Sequence, residues 1–163
     1  MSEEIRIETI ESQPVMAVTE KGAVEDIGTL MGNALKQVDE YLTNQNEEAV
    51  GPPFARYLKV DGNQMTFEAG YPVKELLIGT EKVRPGDLPV GEVASVIHEG
   101  SYDSLDQTHE ILRHWIAGQE KVPAGAPWEV YLTDPNEEED VSKWQTLVRW
   151  PVKAKVAGDD AAS

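Results

Sequence analysis

Residues 15–35 read VMAVTEKGAVEDIGTLMGNAL, and residues 93–112 read VASVIHEGSYDSLDQTHEIL. Laid one on the other, Val15 and Val18 fall on Val93 and Val96, Ile27 on Leu105, and Gly22 on Gly100 at an offset of 78 residues. PFARYL from Pro53 matches PWEVYL from Pro127 at an offset of 74, placing Phe54 on Trp128, Tyr57 on Tyr131 and Leu58 on Leu132. Tyr71-Pro72-Val73 then falls on Trp150-Pro151-Val152 at an offset of 79. An internal repeat constrains architecture more firmly than local propensity does. The chain carries the same order of parts twice.

Within each copy the first part alternates like a strand, and the second follows helical spacing. In the first copy Ile27, Leu30, Met31, Ala34, Val38 and Tyr41 recur on one side. In the second, Ser104-Leu105-Asp106-Gln107 has the form of a capping box, and Leu105, Thr108, Leu112, Trp115 and Ile116 share a face before Gly118 and Pro123 close the helix. Two strands follow in each half, bounded by turns such as Asp61-Gly62-Asn63 and Asp134-Pro135-Asn136. The expected fold is α+β. Duplicated β-α-β-β units related by a pseudo-two-fold form one antiparallel sheet, with helices on one face and a ligand cleft on the other. The halves span about 5–73 and 90–152 of a single domain over residues 1–152; the segment with Pro85-Gly86 and Pro89 reads as a connecting loop, and 153–163 and the extreme N-terminus as frayed ends.

At 163 residues the chain suits one hydrophobic core. It contains no apolar run long enough for a membrane span and no secretory N-terminus, which points to the cytoplasm. Its zero cysteines exclude disulfides and thiol chemistry. A net charge of −16 with no visible basic patch argues against direct DNA binding. Acidic runs such as Glu137–Asp140 fall between strands and read as solvated turns.

Alternation puts Trp128, Val130 and Leu132 on one strand face and Glu129 and Tyr131 on the other. The apolar trio is expected to meet the helices, leaving Glu129 and Tyr131, with Ala55 and Tyr57 of the first copy, on the helix-free face. A glutamate is ordinary on such a face when it is wet. Between two twisted half-sheets the same residues would instead form an aromatic cleft with one carboxylate at its base, suited to flat lipophilic cations. Glu68, in the matching strand FEAGYPV, is a second candidate whose face is open, and Tyr102 either caps the pocket or covers its helix start. His98, His109 and His114 lack metal-ligand spacing and read as packing or surface residues; no metal or other cofactor is expected. No nucleophile elbow surrounds Ser101 or Ser104, and no phosphate loop is present.

The combination of His98-x-Gly100-x-Tyr102-x-x-Leu105, Trp115-x-x-Gly118, Pro127-Trp128-Glu129-x-Tyr131 and Trp150-Pro151-Val152 resembles the GyrI-like small-molecule-binding domain, which includes effector-binding parts of multidrug-responsive transcription regulators. The resemblance runs from about Ile5 to Val152. It implies that Glu129 lies at the base of an aromatic cleft and pairs with lipophilic cations, with Tyr131 beside it. It also admits a hydrolase of cyclopropane-bearing electrophilic toxins, in which Glu129 and Tyr131 are the catalytic acid–base pair. A third reading is an acidic protein-interaction module, as with the family member that inhibits DNA gyrase. The chain departs from the family at Leu147 and Arg149; an arginine in the cleft would offset Glu129. No helix-turn-helix accompanies the motifs, so the expected partners are small hydrophobic or cationic molecules.

Overall fold

The computed structural model describes residues 4–156. Nine antiparallel strands and two helices follow the chain as β1 (Arg6–Ile10), β2 (Gln13–Ala23), α1 (Ile27–Asn44), β3 (Phe54–Asp61), β4 (Gln64–Pro72), β5 (Arg84–Leu88), β6 (Gly91–Glu99), α2 (Leu105–Gly118), β7 (Lys121–Pro123), β8 (Trp128–Tyr131) and β9 (Gln145–Ala154). The strand order is β1-β6-β9-β8-β3-β4-β2-β5, with β7 beside the end of β9. Exchanging β2, β3, β4 and β5 for β6, β8, β9 and β1 returns the same order. The α+β fold and the repeated unit are therefore as the sequence implies.

The two halves meet where β3 pairs with β8, and there Ala55 stands opposite Glu129, with Phe54 opposite Val130 and Arg56 opposite Trp128. Ala55 and Glu129 are also equivalent positions of the repeat, so the symmetry centre of the sheet lies between them. Main-chain bonds obey the same relation: Tyr57 N–H donates to Pro127 O at 3.1 Å, and Tyr131 N–H donates to Pro53 O at 2.9 Å.

Three cores hold the molecule together. One lies under α1, where Ala34, Val38 and Leu42 meet Met16, Val18, Phe67 and Ala69 of the sheet; a second lies under α2, where Leu112 and Ile116 meet Ala94, Val96 and Val148. The third contains no helix residue: Val15, Phe54, Leu88, Val93 and Trp128 pack together on the opposite face. Val15 and Val93 belong to strands on opposite sides of β3 and β8, so their shared cluster requires the sheet to curl toward its helix-free face. Burying a side chain the size of Phe54 contributes about 1.5–3 kcal/mol, which makes this curl a substantial part of the fold.

That third core corrects the expected placement of the cleft. Trp128 and Val130 do share a face, but it is the helix-free one, while Glu129 and Tyr131 point to the helix side. Both faces of the central strands are covered, so alternation separates the two sets without saying which set meets the helices. Leu132 is 40% exposed, outside any core. The ends also differ from expectation. β1 pairs with β6, β5 pairs with β2, and β9 continues to Ala154; residues 157–163 lie outside the described part. Pro85 is tolerated because β5 is an edge strand. Ser104 makes no capping bond at α2, because a 3-10 turn over Tyr102–Ser104 precedes the helix and Ser101 Oγ caps that turn instead. No helix among the described residues is long and apolar enough to cross a membrane.

Two glycines allow a direct comparison. At Gly70 a Cβ would run into the main chain of Met16 and Ala17 on the neighbouring strand, whereas at Gly32, inside α1, it would meet nothing within 4 Å. Gly70→Ala is expected to lower unfolding stability by about 1–3 kcal/mol through overpacking. Gly32→Ala is expected to raise it by about 0.5–1 kcal/mol through helix propensity. Urea titration of both variants checks the pair.

Candidate functional site

The repeat brings two tyrosines onto one carboxylate. Tyr57 and Tyr131 are equivalent residues, each two positions beyond the Ala55–Glu129 centre, and their hydroxyl oxygens are 3.4 Å apart. Glu129 is the only carboxylate at that centre, since its mate is alanine. Its Oε1 accepts from Tyr57 Oη at 2.8 Å and from Tyr131 Oη at 2.7 Å. Its Oε2 lies 2.7 Å from His109 Nε2 on α2. Glu129 is 2% exposed, a depth at which an acid needs several partners to remain in place.

His109 is the residue that sequence reasoning missed. It lies between Leu105 and Leu112 on the buried side of α2, and that position in the apolar stripe is the signal that it faces the sheet. Its other nitrogen, Nδ1, accepts from Trp150 Nε1 at 3.1 Å. Indole N–H only donates, so Nδ1 carries no proton in this arrangement, and the proton on Nε2 points to Glu129. All three neighbours of the carboxylate are then neutral donors. The lysine and arginine side chains that pair with acids do so elsewhere among the described residues: Arg56 with Glu68, Arg149 with Glu8, Arg113 with Glu110 and Lys121 with Glu92.

Glu129, Tyr57 and Tyr131 form the floor of a cleft of about 1520 Å³ between α1 and α2. Its two walls are equivalent in the repeat and opposite in chemistry. Gly28, Met31 and Gly32 line the α1 side where Asp106, His109 and Glu110 line the α2 side; Leu58 and Leu132 both reach it as well. Met31 thus stands where the second half has histidine, and its Sδ lies 3.4 Å from Tyr131 Oη. Tyr102 closes one end, its ring centroid 5.7 Å from Tyr131 and 5.1 Å from Trp144. Of its two expected roles, lining the pocket is the one its position fits.

Glu68 and Arg149 lie elsewhere. Phe67 and Ala69 face α1, which turns Glu68 to the other side of the sheet beside Arg56 at 3.5 Å. Val148 and Trp150 face α2, which turns Arg149 away toward Ser95 Oγ at 3.1 Å and Glu8 at 3.3 Å. The Ser95 hydroxyl, and then Arg149, hold the Glu8 carboxyl below its ordinary range. Arg149 therefore does not offset Glu129. His98 is a buried structural residue bonded to Thr108 Oγ1 and to the Ser101 carbonyl, while His114 is exposed. No cluster of three or more potential metal ligands occurs among the described residues.

Burial, and next the Glu129 charge, push the Tyr57 hydroxyl well above its ordinary pKa of 10.0. The Tyr131 hydroxyl is raised in the same way by burial, then by Tyr57 and Glu129. Both remain protonated donors to the carboxylate through neutral pH. Because the folded state holds these protons more tightly than the unfolded chain does, their stabilisation is fully present below about pH 10 and is lost as pH rises beyond it. Each such tyrosine steepens the alkaline loss by at most about 1.4 kcal/mol per pH unit. Tyr57→Phe is expected to flatten the fall in unfolding free energy above pH 10, which denaturant titrations at a series of alkaline pH values would measure.

Comparison with known proteins places this geometry in a wider setting. The model of the family described as "GyrI-like small molecule binding domain" matches residues 3–153. No curated protein matches the sequence. Among solved structures, the C-terminal domain of EcmrR is similar over 96% of this chain and 100% of that one, with a TM-score of 0.75 at 19% identity. The EcmrR chain in a complex with DNA gives a TM-score of 0.80 at 16% identity, covering 94% of this chain; the match spans 58% of that longer protein. SAV2435 bound to tetraphenylphosphonium gives 0.66 at 14% identity, covering 92% of this chain and 94% of that one. A hydrolase from Listeria innocua gives 0.65 at 13% identity, covering 92% of each chain. At these identities the likeness is one of fold.

Proposed function

The chain belongs to the GyrI-like small-molecule-binding family, and from that premise we propose that it binds flat, lipophilic cations between α1 and α2 with Glu129 as their countercharge. The observation that carries this reading is the set of partners around the carboxylate. A carboxylate offers about four acceptor sites on its two oxygens. Three are taken by Tyr57, Tyr131 and His109, all donating without a positive charge of their own. Hydrogen bonds keep the charge in place; they do not cancel it. A buried charge without an opposite partner costs several kcal/mol, and a desolvated cation entering the cleft offsets part of that cost.

The walls supply the remaining selectivity. Tyr57, Tyr131 and Tyr102 offer aromatic surface to a cation, and Met31 adapts to irregular shapes. The glycine backbone of α1 leaves space for a flat group, since a side chain at Gly28 or Gly32 would meet nothing within 4 Å. Tetraphenylphosphonium, the ligand of the SAV2435 structure, is a lipophilic cation, tetrahedral at phosphorus with flat phenyl arms, and a suitable first probe of the countercharge. A neutral molecule of the same shape would leave Glu129 uncompensated and bind less well.

A second reading, hydrolysis of strained electrophiles such as cyclopropane-bearing compounds, draws on the 2.7 Å bond between Tyr131 and Glu129. There Glu129 would orient or deprotonate water and Tyr131 would donate a proton to the departing group. This reading requires product formation with such a substrate that stops in Glu129→Gln.

Under the countercharge reading, tetraphenylphosphonium at 100 times its Kd should add about 2.7 kcal/mol of stability, visible as a rise in Tm. The rise should vanish in Glu129→Gln, and a neutral analogue such as tetraphenylmethane should give little in either protein. An undiminished rise in the variant would contradict the role given to Glu129.

A further inference from the structure

We propose that Trp150 is a positioning residue: by donating to His109 Nδ1 it holds the imidazole as the neutral tautomer protonated at Nε2, and so preserves the charge of Glu129 for a cationic ligand. The inference rests on the cation-binding reading above and adds a residue that does not itself touch the carboxylate.

A histidine 2.7 Å from a buried carboxylate would ordinarily gain a second proton, because the resulting cation pairs with the acid. Here the second proton would have to occupy Nδ1, where the indole N–H of Trp150 already points from 3.1 Å. Two N–H groups cannot share that line. Protonation therefore requires the Trp150 bond to break, and its product is an internal ion pair that leaves a ligand cation no unmet charge. Trp150 opposes that outcome at the pH values where histidine ordinarily changes charge, roughly 5 to 8.

The surroundings of His109 supply competing influences from several elements. Glu129 on β8 faces Nε2, the Tyr57 ring on β3 lies edge-on at 6.2 Å, and Tyr131 shares the carboxylate. Glu110 follows it on α2 but is bound to Arg113, while Asp106 lies one turn earlier. From α1 the cleft residues are Ile27, Gly28, Met31, Gly32 and Leu35, which carry no charge. Among the other charged residues lining the cleft, Asp106 and Asp134 would favour a histidine cation and Lys59 on β3 would oppose one. The Trp150 donor is the opposing contact that meets His109 Nδ1 directly.

The repeat supports the assignment. Trp150 is the equivalent of Tyr71, and His109 the equivalent of Met31. In the first half neither member of the corresponding pair is a histidine, and the corresponding floor position is Ala55. The indole donor, the imidazole and the carboxylate are thus found together in the half that carries the charge.

Two measurements test this on the full chain. Long-range nitrogen–proton NMR of the ligand-free protein should show His109 with Nδ1 unprotonated and Nε2 protonated at about pH 7, and Trp150→Phe should shift the onset of Nδ1 protonation to higher pH. Calorimetric titration with tetraphenylphosphonium should then show affinity falling between about pH 8 and pH 6 by more than about tenfold in Trp150→Phe, with a much smaller fall in the native protein. Adding His109→Gln, which retains an N–H donor but does not gain a proton, should remove the pH dependence from Trp150→Phe. An Nδ1–H signal in the native protein, or identical pH profiles for native and Trp150→Phe, would overturn the proposal. If tetraphenylphosphonium does not bind native protein at all, the cation-binding reading fails, while the NMR comparison still decides the tautomer on its own.

Discussion

The pairing of Ala55 with Glu129 across β3 and β8 is the constraint on which the rest depends. It sets equivalent residues of two half-chains face to face, so each position beyond it acquires a mate at the same distance from the centre. Two residues on, that rule brings Tyr57 and Tyr131 together; on the helices it gives Met31 and His109 equivalent places on the two walls of the cleft. A one-residue slip in this register would turn every side chain of β8 to the other face, replacing Glu129 by tryptophan or valine at the cleft floor. The curl of the sheet guards against such a slip. Phe54 and Trp128 are fully buried on the far face, and a slip would take both out of that core.

The duplicated frame is symmetric and the chemistry built on it is not. A symmetric floor would carry either two carboxylates, whose mutual repulsion would favour protonation of one, or none. Alanine on one side leaves a single acid, and the symmetry then serves to supply donors from both halves. The walls follow the same logic. Glycine and methionine on α1 face aspartate, histidine and glutamate on α2, so the cleft presents an open apolar side and a polar, acidic side to anything that enters.

Much of this was legible in the sequence. The repeat offsets yielded the order of elements, the mating of Tyr57 with Tyr131, and the separation of Trp128 from Glu129 on one strand. Alternation also set Glu68 apart from Phe67 and Ala69, and Arg149 apart from Val148 and Trp150, but left open which of the two faces meets the cleft. What was hidden had physical causes. β1 and β5 join the sheet by main-chain pairing at its edges, where few side chains need be buried and proline is tolerated. The face that meets the helices was hidden because central strands covered on both sides lack a polar face. His109 was hidden by its surroundings: on an apolar helix stripe a histidine resembles a packing residue until the strand opposite it is known. The tautomer needed coordinates, since it depends on an indole in another strand, 41 residues away.

The central claim is that Glu129 is a buried carboxylate kept charged by three neutral donors, and it is most directly tested by the carbonyl spectrum of that one residue. Carbon NMR of the side-chain carboxyl, assigned by comparison with Glu129→Gln, would report its ionisation in the ligand-free protein at neutral pH. The account predicts an ionised carboxylate, unchanged in protonation when tetraphenylphosphonium is added. A protonated, neutral Glu129 in the free protein would contradict it, because the cleft would then hold no charge for a cation to meet.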